Sequence, residues 1–365
     1  MKFIKNHKWI VITAMLVVVL SVSVVTIFQN PPDNLLKFMI EKGIERNSHR
    51  DTFKDDALYV ITTGTGAPLP ETNRVGPQTV VIAGNQILVF DAGHGSTLKL
   101  EMSGVEASAI SGLFLTHYHS DHIGDIGELM LKRWASNVAA KPLPIYGPVG
   151  LDQVVAGFES AYELDKGYRI AHHGEDLLPV EAFGGDVIEF DLGADLTTSK
   201  VVYSSGDVEV IAFNVDHFPI VPAVGYRVNY KDRSVVISGD TIYTESLIDH
   251  AMGADLFISE ALHMGFSKMV SDASEDMDSN LSDVAHDIQD YHISPEDAAI
   301  VAREAGIKQL VLTHILPPIP SRILEAGFTK EARAVYDGEI YISHDGTMMK
   351  MLVNSEDIKI TELLK

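Results

Sequence analysis

The sequence predicts an α/β fold: a four-layer αβ/βα sandwich, two packed sheets with helices outside, preceded by an N-terminal membrane-anchor or signal helix. Three observations predict it. Short β-rich runs closed by glycine alternate with segments whose apolar residues recur at helical spacing, and this happens twice over. The chain has 365 residues, 46% of them hydrophobic, enough for a substantial core in one large domain or two small ones. Histidines and aspartates fall at the ends of apolar strand runs, the sheet edge where α/β proteins place their sites.

Lys2, Lys5 and Lys8 precede "WIVITAMLVVVLSVSVVTIF", Trp9 to Phe28. This uncharged run matches the length of about 20 residues that a helix needs to cross a bilayer. Basic residues on that flank stay in the cytoplasm and send the rest across. Ser21 and Ser23 offer only a weak cleavage pattern, so residues 1–30 read as a signal anchor in preference to a cleaved signal peptide. The expected location is periplasmic or extracytoplasmic, tethered to the inner membrane, or secreted if the segment is cut. Pro31 and Pro32 end the run, and "DNLLKFMIEKGIERN" reads as an amphipathic helix in a linker, residues 31–55. Residues 56–365 read as one further, globular domain.

From Ala57 the pattern turns to strands: "ALYVITTG", "QTVVIAG", "QILVFDAG" and "GLFLTH". "DIGELMLKRWA" and "LDQVVAGFESAYELD" are helices by their spacing, whereas residues 167–205 resist assignment. The second half supplies strands "VEVIAFNVDHFP", "AVGYRVNY", "SVVISGDT" and "DLFISEA". "SPEDAAIVAREAG" follows as a helix with Ser294 as N-cap, acids in its first turn and Gly306 at its end. A strand "KQLVLTH" and a closing hairpin "EIYISHDGTMMKMLV" complete the chain.

There is no cysteine, which excludes disulfides, thiolate metal sites and a cysteine nucleophile. A metal site must use His, Asp and Glu, a set that suits zinc, manganese or iron. The net charge is −23, and residues 1–30 hold three lysines and no acid, so the rest is more acidic still. Such a body repels phosphate backbones at long range. Nucleic acid is therefore disfavoured as a partner, although bound cations can invert the sign locally.

The chemistry concentrates in "LFLTHYHSDHIGD", Leu113 to Asp125. His117 and His119 are two residues apart, so they point the same way from an extended segment; Asp121 continues the spacing, and His122 follows as the chain turns toward a helix. Crowded imidazoles repel when protonated, so something positive belongs among them. Ligands aimed from a strand end and a helix start suit two adjacent metals better than one. His217 in "VDHFP", Asp240 in "SGDT" and His314 in "LTHILPP" each follow an apolar strand in the same manner.

H-x-H-x-D-H followed by isolated His, Asp and His resembles the metallo-β-lactamase fold superfamily, over roughly Leu58 to Val353. "TGTGAPLP", "FDAGHGS", "PAVGYRV" and "SGDT" are similar to its ribonuclease Z and arylsulfatase-like branch. The resemblance implies two divalent metal ions, with zinc favoured. His117, His119 and His217 would hold one, Asp121, His122 and His314 the other, with Asp240 bridging and a hydroxide between them. It also implies roles for Glu260, in "SEALH" where ribonuclease Z carries His-Glu-Ala-Thr, and for His292, in "YHISPEDAA", which resembles that family's His-Ser-Thr motif. Asp121 would act as general base, and His292, oriented by Glu260, would give a proton to the leaving oxygen. Asp91 resembles an aspartate that orients a metal ligand, and Gly64 to Pro68 reads as a tight turn beneath the metals.

The chain departs from ribonuclease Z at Ser120, where that family has glycine, and at Ser259, and no glycine/proline-rich basic arm for clamping transfer RNA is evident. The expected function is a binuclear metal-dependent hydrolase whose bridging hydroxide attacks a small phosphodiester or sulfate ester. The alternatives are a lactone, lactam or thioester hydrolase using the same site, and a membrane-tethered metal-binding protein without activity. Lys132, Arg133 and Trp134 could supply anion donors or an apolar wall near the metals. The expected partners are a small-molecule ester, the membrane through the N-terminal segment, and a second copy in a homodimer.

Overall fold

The computed structural model of the chain describes residue 29 and residues 31–47, 52–136, 139–275, 277 and 280–364. The chain divides into two units, residues 1–50 and 51–365. In the first, helix α1 (Asp33–Asn47) leaves Leu36, Phe38, Met39 and Ile40 exposed. The Trp9–Phe28 run, expected to be a membrane anchor, lies outside the described residues. Among the described residues no helix is long and apolar enough to cross a membrane.

Residues 51–365 build two mixed sheets. β1 (Ala57–Gly64), β2 (Gln78–Ala83) and β3 (Gln86–Phe90) form an antiparallel meander, and β4 (Gly112–Phe114), β5 (Leu143–Pro148) and β6 (Gly185–Phe190) continue it in parallel. The second sheet starts with the antiparallel strands β7 (Ser199–Ser205), β8 (Val208–Asn214), β9 (Val224–Tyr230) and β10 (Arg233–Ile237). β11 (Leu256–Leu262), β12 (Gln309–Leu316) and β13 (Glu339–Ile342) then add to β10 in parallel. β14 (Thr347–Leu352) and β15 (Lys359–Glu362) return to the first sheet beside β1. Each sheet thus carries four parallel strands next to an antiparallel set, the physical form of the repeated pattern in the sequence.

Between the sheets, Leu58, Val81, Phe90 and Phe114 meet Val210, Tyr226, Val235 and Ile258. The outer face of the first sheet is covered by α2 (Ser96–Met102), α4 (Ile126–Ala135) and α5 (Leu151–His173), through Leu100, Ile126, Leu129 and Leu151, with the single-turn helix α3 (Ser120–Ile123) at the sheet edge. The second sheet is covered by α6 (Glu245–Ala251) and α9 (Pro295–Glu304), through Leu247, Ala298 and Val301; α7 (Met264–Ser274) and α8 (Leu281–Asp287) lie between them in sequence. This is the four-layer αβ/βα order. Strands sandwiched this way are apolar on both faces, which is why β10, β11 and β12 are buried along their whole length.

One helix outruns its periodic segment, and one local expectation fails. α5 runs on to His173, past the end of its periodic segment, because Gly167 sits in open space on an exposed face and nothing stops the helix before Gly174. The closing run is not a hairpin: β13 pairs with β12 in one sheet and β14 with β1 in the other. The connection crosses between sheets, with Ser343 N–H bonded to Leu312 O at 2.9 Å and Gly346 N–H to Thr62 O at 2.8 Å. Strand alternation is the same for either connection, so the sequence pattern could not tell them apart.

Candidate metal centre

Strand ends deliver the polar side chains to one edge. Beyond β4 the chain bends at Thr116 and is extended at His119, the N-cap of α3, so His117 and His119 come from the strand side and Asp121 and His122 from the first turn of the helix. His217 follows β8 and Asp240 follows β10. His314 is set by a bulge: Glu260 pairs with Thr313 and Ala261 with Ile315, leaving His314 as the extra residue with φ +44°. A bulge of this kind re-aims one side chain out of the ladder.

The groups converge. His117, His119, His217 and Asp240 bring their ligand atoms within 4.8 Å of one another, and so do Asp121, His122 and His314. Asp240 Oδ2 lies 3.8 Å from His117 Nε2, 3.3 Å from His122 Nε2 and 3.5 Å from His314 Nε2, so it stands between the two groups. His314 Nε2 is 3.2 Å from Asp121 Oδ2. All but His119 are buried.

The ring nitrogens on the far side of the cluster are committed elsewhere. His122 Nδ1–H donates to Asp91 Oδ2 at 2.9 Å, and His217 Nδ1–H donates to the Tyr291 carbonyl at 2.8 Å. His117 Nδ1 is 3.1 Å from Thr116 Oγ1. Asp91 is itself fixed, accepting from Thr116 N–H at 2.8 Å and from the Thr116 hydroxyl. Metal-binding histidines are oriented by bonds of this type. In its neutral form His122 then turns the Nε2 lone pair toward two carboxylates, and that Nε2 is buried without a hydrogen-bond partner. A cation between these atoms removes the repulsion. The donor set contains imidazoles and carboxylates and no lysine or arginine, which fits divalent ions of the zinc class.

Electrostatics say the same. Burial depresses His117 well below the ordinary imidazole range, with His122 beside it adding to the effect, and brings His217 down to about 4. For His122 and His314 burial also pulls downward, but the carboxylates of Asp240 and Asp121 outweigh it and raise both. Asp240 is held well below the usual carboxylate range: burial opposes this, and His314 and His122 prevail.

A second pair stands against the cluster. Glu260 Oε1 is 2.8 Å from His292 Nδ1 and accepts from the backbone N–H groups of Thr241 at 3.0 Å and Ile293 at 3.3 Å. These two residues, Asp240 and His314 also lie within ligand distance of one another. Because Glu260 Oε1 and His292 Nδ1 are bonded to each other, we read them as a hydrogen-bonded pair. Burial pushes Glu260 well up, with Asp240 adding to it, and pushes His292 down. Three donors converge on Oε1, which makes Glu260 the acceptor.

Sequence reasoning missed the Tyr291 carbonyl, Thr116, Thr241 and Ser238, whose hydroxyl accepts from Glu260 N–H at 3.2 Å. The turn at Gly64 to Pro68 does reach the centre: Thr65 O accepts from Ile315 N–H at 3.1 Å, one residue past His314. Lys132, Arg133 and Trp134 do not approach it. Lys132 pairs with Glu101 at 3.2 Å, Arg133 bonds to Lys141 O, and Trp134 is buried with its Nε1–H on Pro179 O at 2.8 Å. They sit on α4, whose apolar side faces its own core.

A family model described as "Beta-lactamase superfamily domain" matches residues 87–315. The chain is 37% identical over 264 residues to a protein named Ribonuclease Z from Mycolicibacterium paratuberculosis, covering 72% of this chain and 87% of that one. It is 34% identical over 290 residues to a Ribonuclease Z from Mycobacterium sp. strain KMS, covering 79% and 94%. The crystal structure of human tRNase Z, short form, matches with a TM-score of 0.58 at 24% identity, over 81% of this chain and all of that one, and so shows the shared fold. These relatives overturn the expectation that nucleic acid is disfavoured: close relatives bear the name of a ribonuclease. Net charge misled because it sums over the whole surface, whereas a phosphate meets the local field of whatever cations the cluster holds.

Proposed function

The chain belongs to the metallo-β-lactamase fold superfamily, in its ribonuclease Z-like branch, and from that premise we propose that it hydrolyses phosphodiester bonds in RNA. The observation that carries the reading is the convergence of His117, His119, His217, Asp240, Asp121, His122 and His314 on one edge. In this reading they would hold two divalent ions, zinc favoured, with His117, His119 and His217 toward one, Asp121, His122 and His314 toward the other, and Asp240 available to both.

Two divalent ions in this cluster would polarise the phosphoryl oxygens and make a water acidic enough to attack near neutral pH. The protein's own groups do the rest. Asp121, held ionised by its neighbours His122 and His314 against the effect of burial, takes the proton of the attacking water. His292 gives a proton to the leaving oxygen. Glu260 accepts from His292 Nδ1–H and stabilises the imidazolium from which that proton departs. Asp91 and the Tyr291 carbonyl keep His122 and His217 in the tautomer that leaves Nε2 free.

The test is a substrate panel, run with and without a chelator: a precursor transfer RNA, a bis-aryl phosphate, an aryl sulfate, a lactone and a cephalosporin. The reading expects chelator-sensitive cleavage of the RNA and the bis-aryl phosphate. Preferential turnover of the sulfate, lactone or cephalosporin would contradict it. The reading also keeps Trp9–Phe28 as a membrane anchor with the catalytic unit outside the cytoplasm, supported by the flanking lysines. Protease added to spheroplasts should then remove residues 56–365; their protection would place them inside.

A further inference from the structure

The loop between β8 and β9, residues 215–223, carries His217 and is pinned at its base, with Val215 N–H on Ala223 O at 3.1 Å and Ile220 N–H on His217 O at 2.9 Å. His217 is 1% exposed, yet Phe218, the next residue, is 73% exposed and Val221 69%. On the neighbouring loop Tyr243, three residues after Asp240, is 38% exposed. Large apolar groups thus stand in water beside two of the metal-facing side chains, on a loop too tightly tied to fold them away.

Positive charge is scarce at the same edge. The segments that bring residues to the cluster or flank it, residues 65–75, 91–95, 115–125, 215–223, 238–244, 288–294 and 317–322, contain Arg74 and Arg322 and no other lysine or arginine. Arg74 is buried and bonded to Thr65 Oγ1 at 2.8 Å. Segments this poor in lysine and arginine offer few side chains to follow a phosphate backbone. An exposed aromatic ring can still hold a nucleotide, because every base has a π-face and stacking tolerates any sequence.

Resting on the RNA-cleaving reading, we propose that Phe218 is the platform on which an unpaired base next to the scissile phosphate stacks, with Val221 and Tyr243 extending the apolar rim. The substrate class is then single-stranded RNA, taken by its bases near the cut and not by the phosphates of a folded body.

The experiment uses the full-length zinc-loaded protein and a single-stranded oligoribonucleotide of about ten nucleotides, a length that spans one binding groove. A matched oligonucleotide lacks the base beside the cut, and a precursor transfer RNA carries the same junction. Phe218→Ala is expected to lower kcat/KM on the intact oligonucleotide by about tenfold, the lower part of the range for one stacked base. The wild type should lose as much on the abasic oligonucleotide, the two losses should not add, and Phe218→Trp should restore turnover. The oligonucleotide and the precursor should be cleaved within about threefold of each other, with a shallow dependence on salt. Additive or absent losses overturn the proposal, as does a steep salt dependence with a requirement for the folded precursor. The abasic comparison needs no variant, so misfolding cannot mask the answer. If the wild type cleaves the oligonucleotide but these effects are missing, this inference falls alone. If it cleaves none of the oligonucleotide, the precursor and bis-(p-nitrophenyl) phosphate, the RNA-cleaving reading falls with it.

Discussion

At the scale of single residues, the account turns on which atom of each ring faces the cluster. Asp91 fixes His122 through a 2.9 Å bond and is held by Thr116. Asp91→Asn should weaken zinc binding by about 10–100-fold, read by competition with a chromogenic chelator. Unchanged affinity would remove Asp91 from the account. His292→Ala should cut RNA cleavage by about 10²–10⁴, the range for a lost proton donor, yet cost far less on bis-(p-nitrophenyl) phosphate, whose leaving group needs no proton. Equal losses on both substrates would show that His292 only holds the site together. Metal uptake should be linked to protons. In the cation-free cluster the carboxylates of Asp240 and Asp121 outweigh burial and favour the protonated forms of His122 and His314, and zinc must displace those protons. Affinity should rise with pH, and calorimetry in buffers of different ionisation heat should detect proton release. The clustered residues were legible because each closes an apolar run. The Tyr291 carbonyl was not, because a backbone oxygen leaves no mark in composition or spacing.

At the scale of elements, two devices position the ligands. One is the bulge at His314, which no propensity signals, since it appears only in the register between β11 and β12. The other is close backbone packing under the Asp121 turn. A Cβ on Gly93 would lie 2.3 Å from Gly76 C and 2.4 Å from Asp121 O, so only glycine lets these chains meet. Gly93→Ala should destabilise the fold by about 1–3 kcal/mol, as overpacking does, and displace Asp121, seen as a lower Tm together with lost zinc affinity. Gly157→Ala, in the open middle of α5, should instead stabilise by about 0.4–1 kcal/mol. A reversed order would mean that the packing at Gly93 is loose. The same scale holds the misread closing segment: "EIYI" and "TMMKML" alternate as any hairpin would, and their separation into two sheets depends on partners more than two hundred residues away for β14, and a few tens away for β13.

At the scale of the whole molecule, the layer order was legible because alternation of strand and helix occurs twice, and each half buries its central strands on both faces. The sign of the substrate was not. A chain of net charge −23 with relatives named as a ribonuclease shows that surface charge and site chemistry are separate quantities. The molecule reconciles them if the ions, and not lysines or arginines, meet the phosphate. The direct test of that claim is RNA turnover by chelator-stripped protein as zinc is added back. Turnover should be absent without metal and should reach its plateau at two ions per chain. Turnover that survives complete removal of the metal would contradict the account.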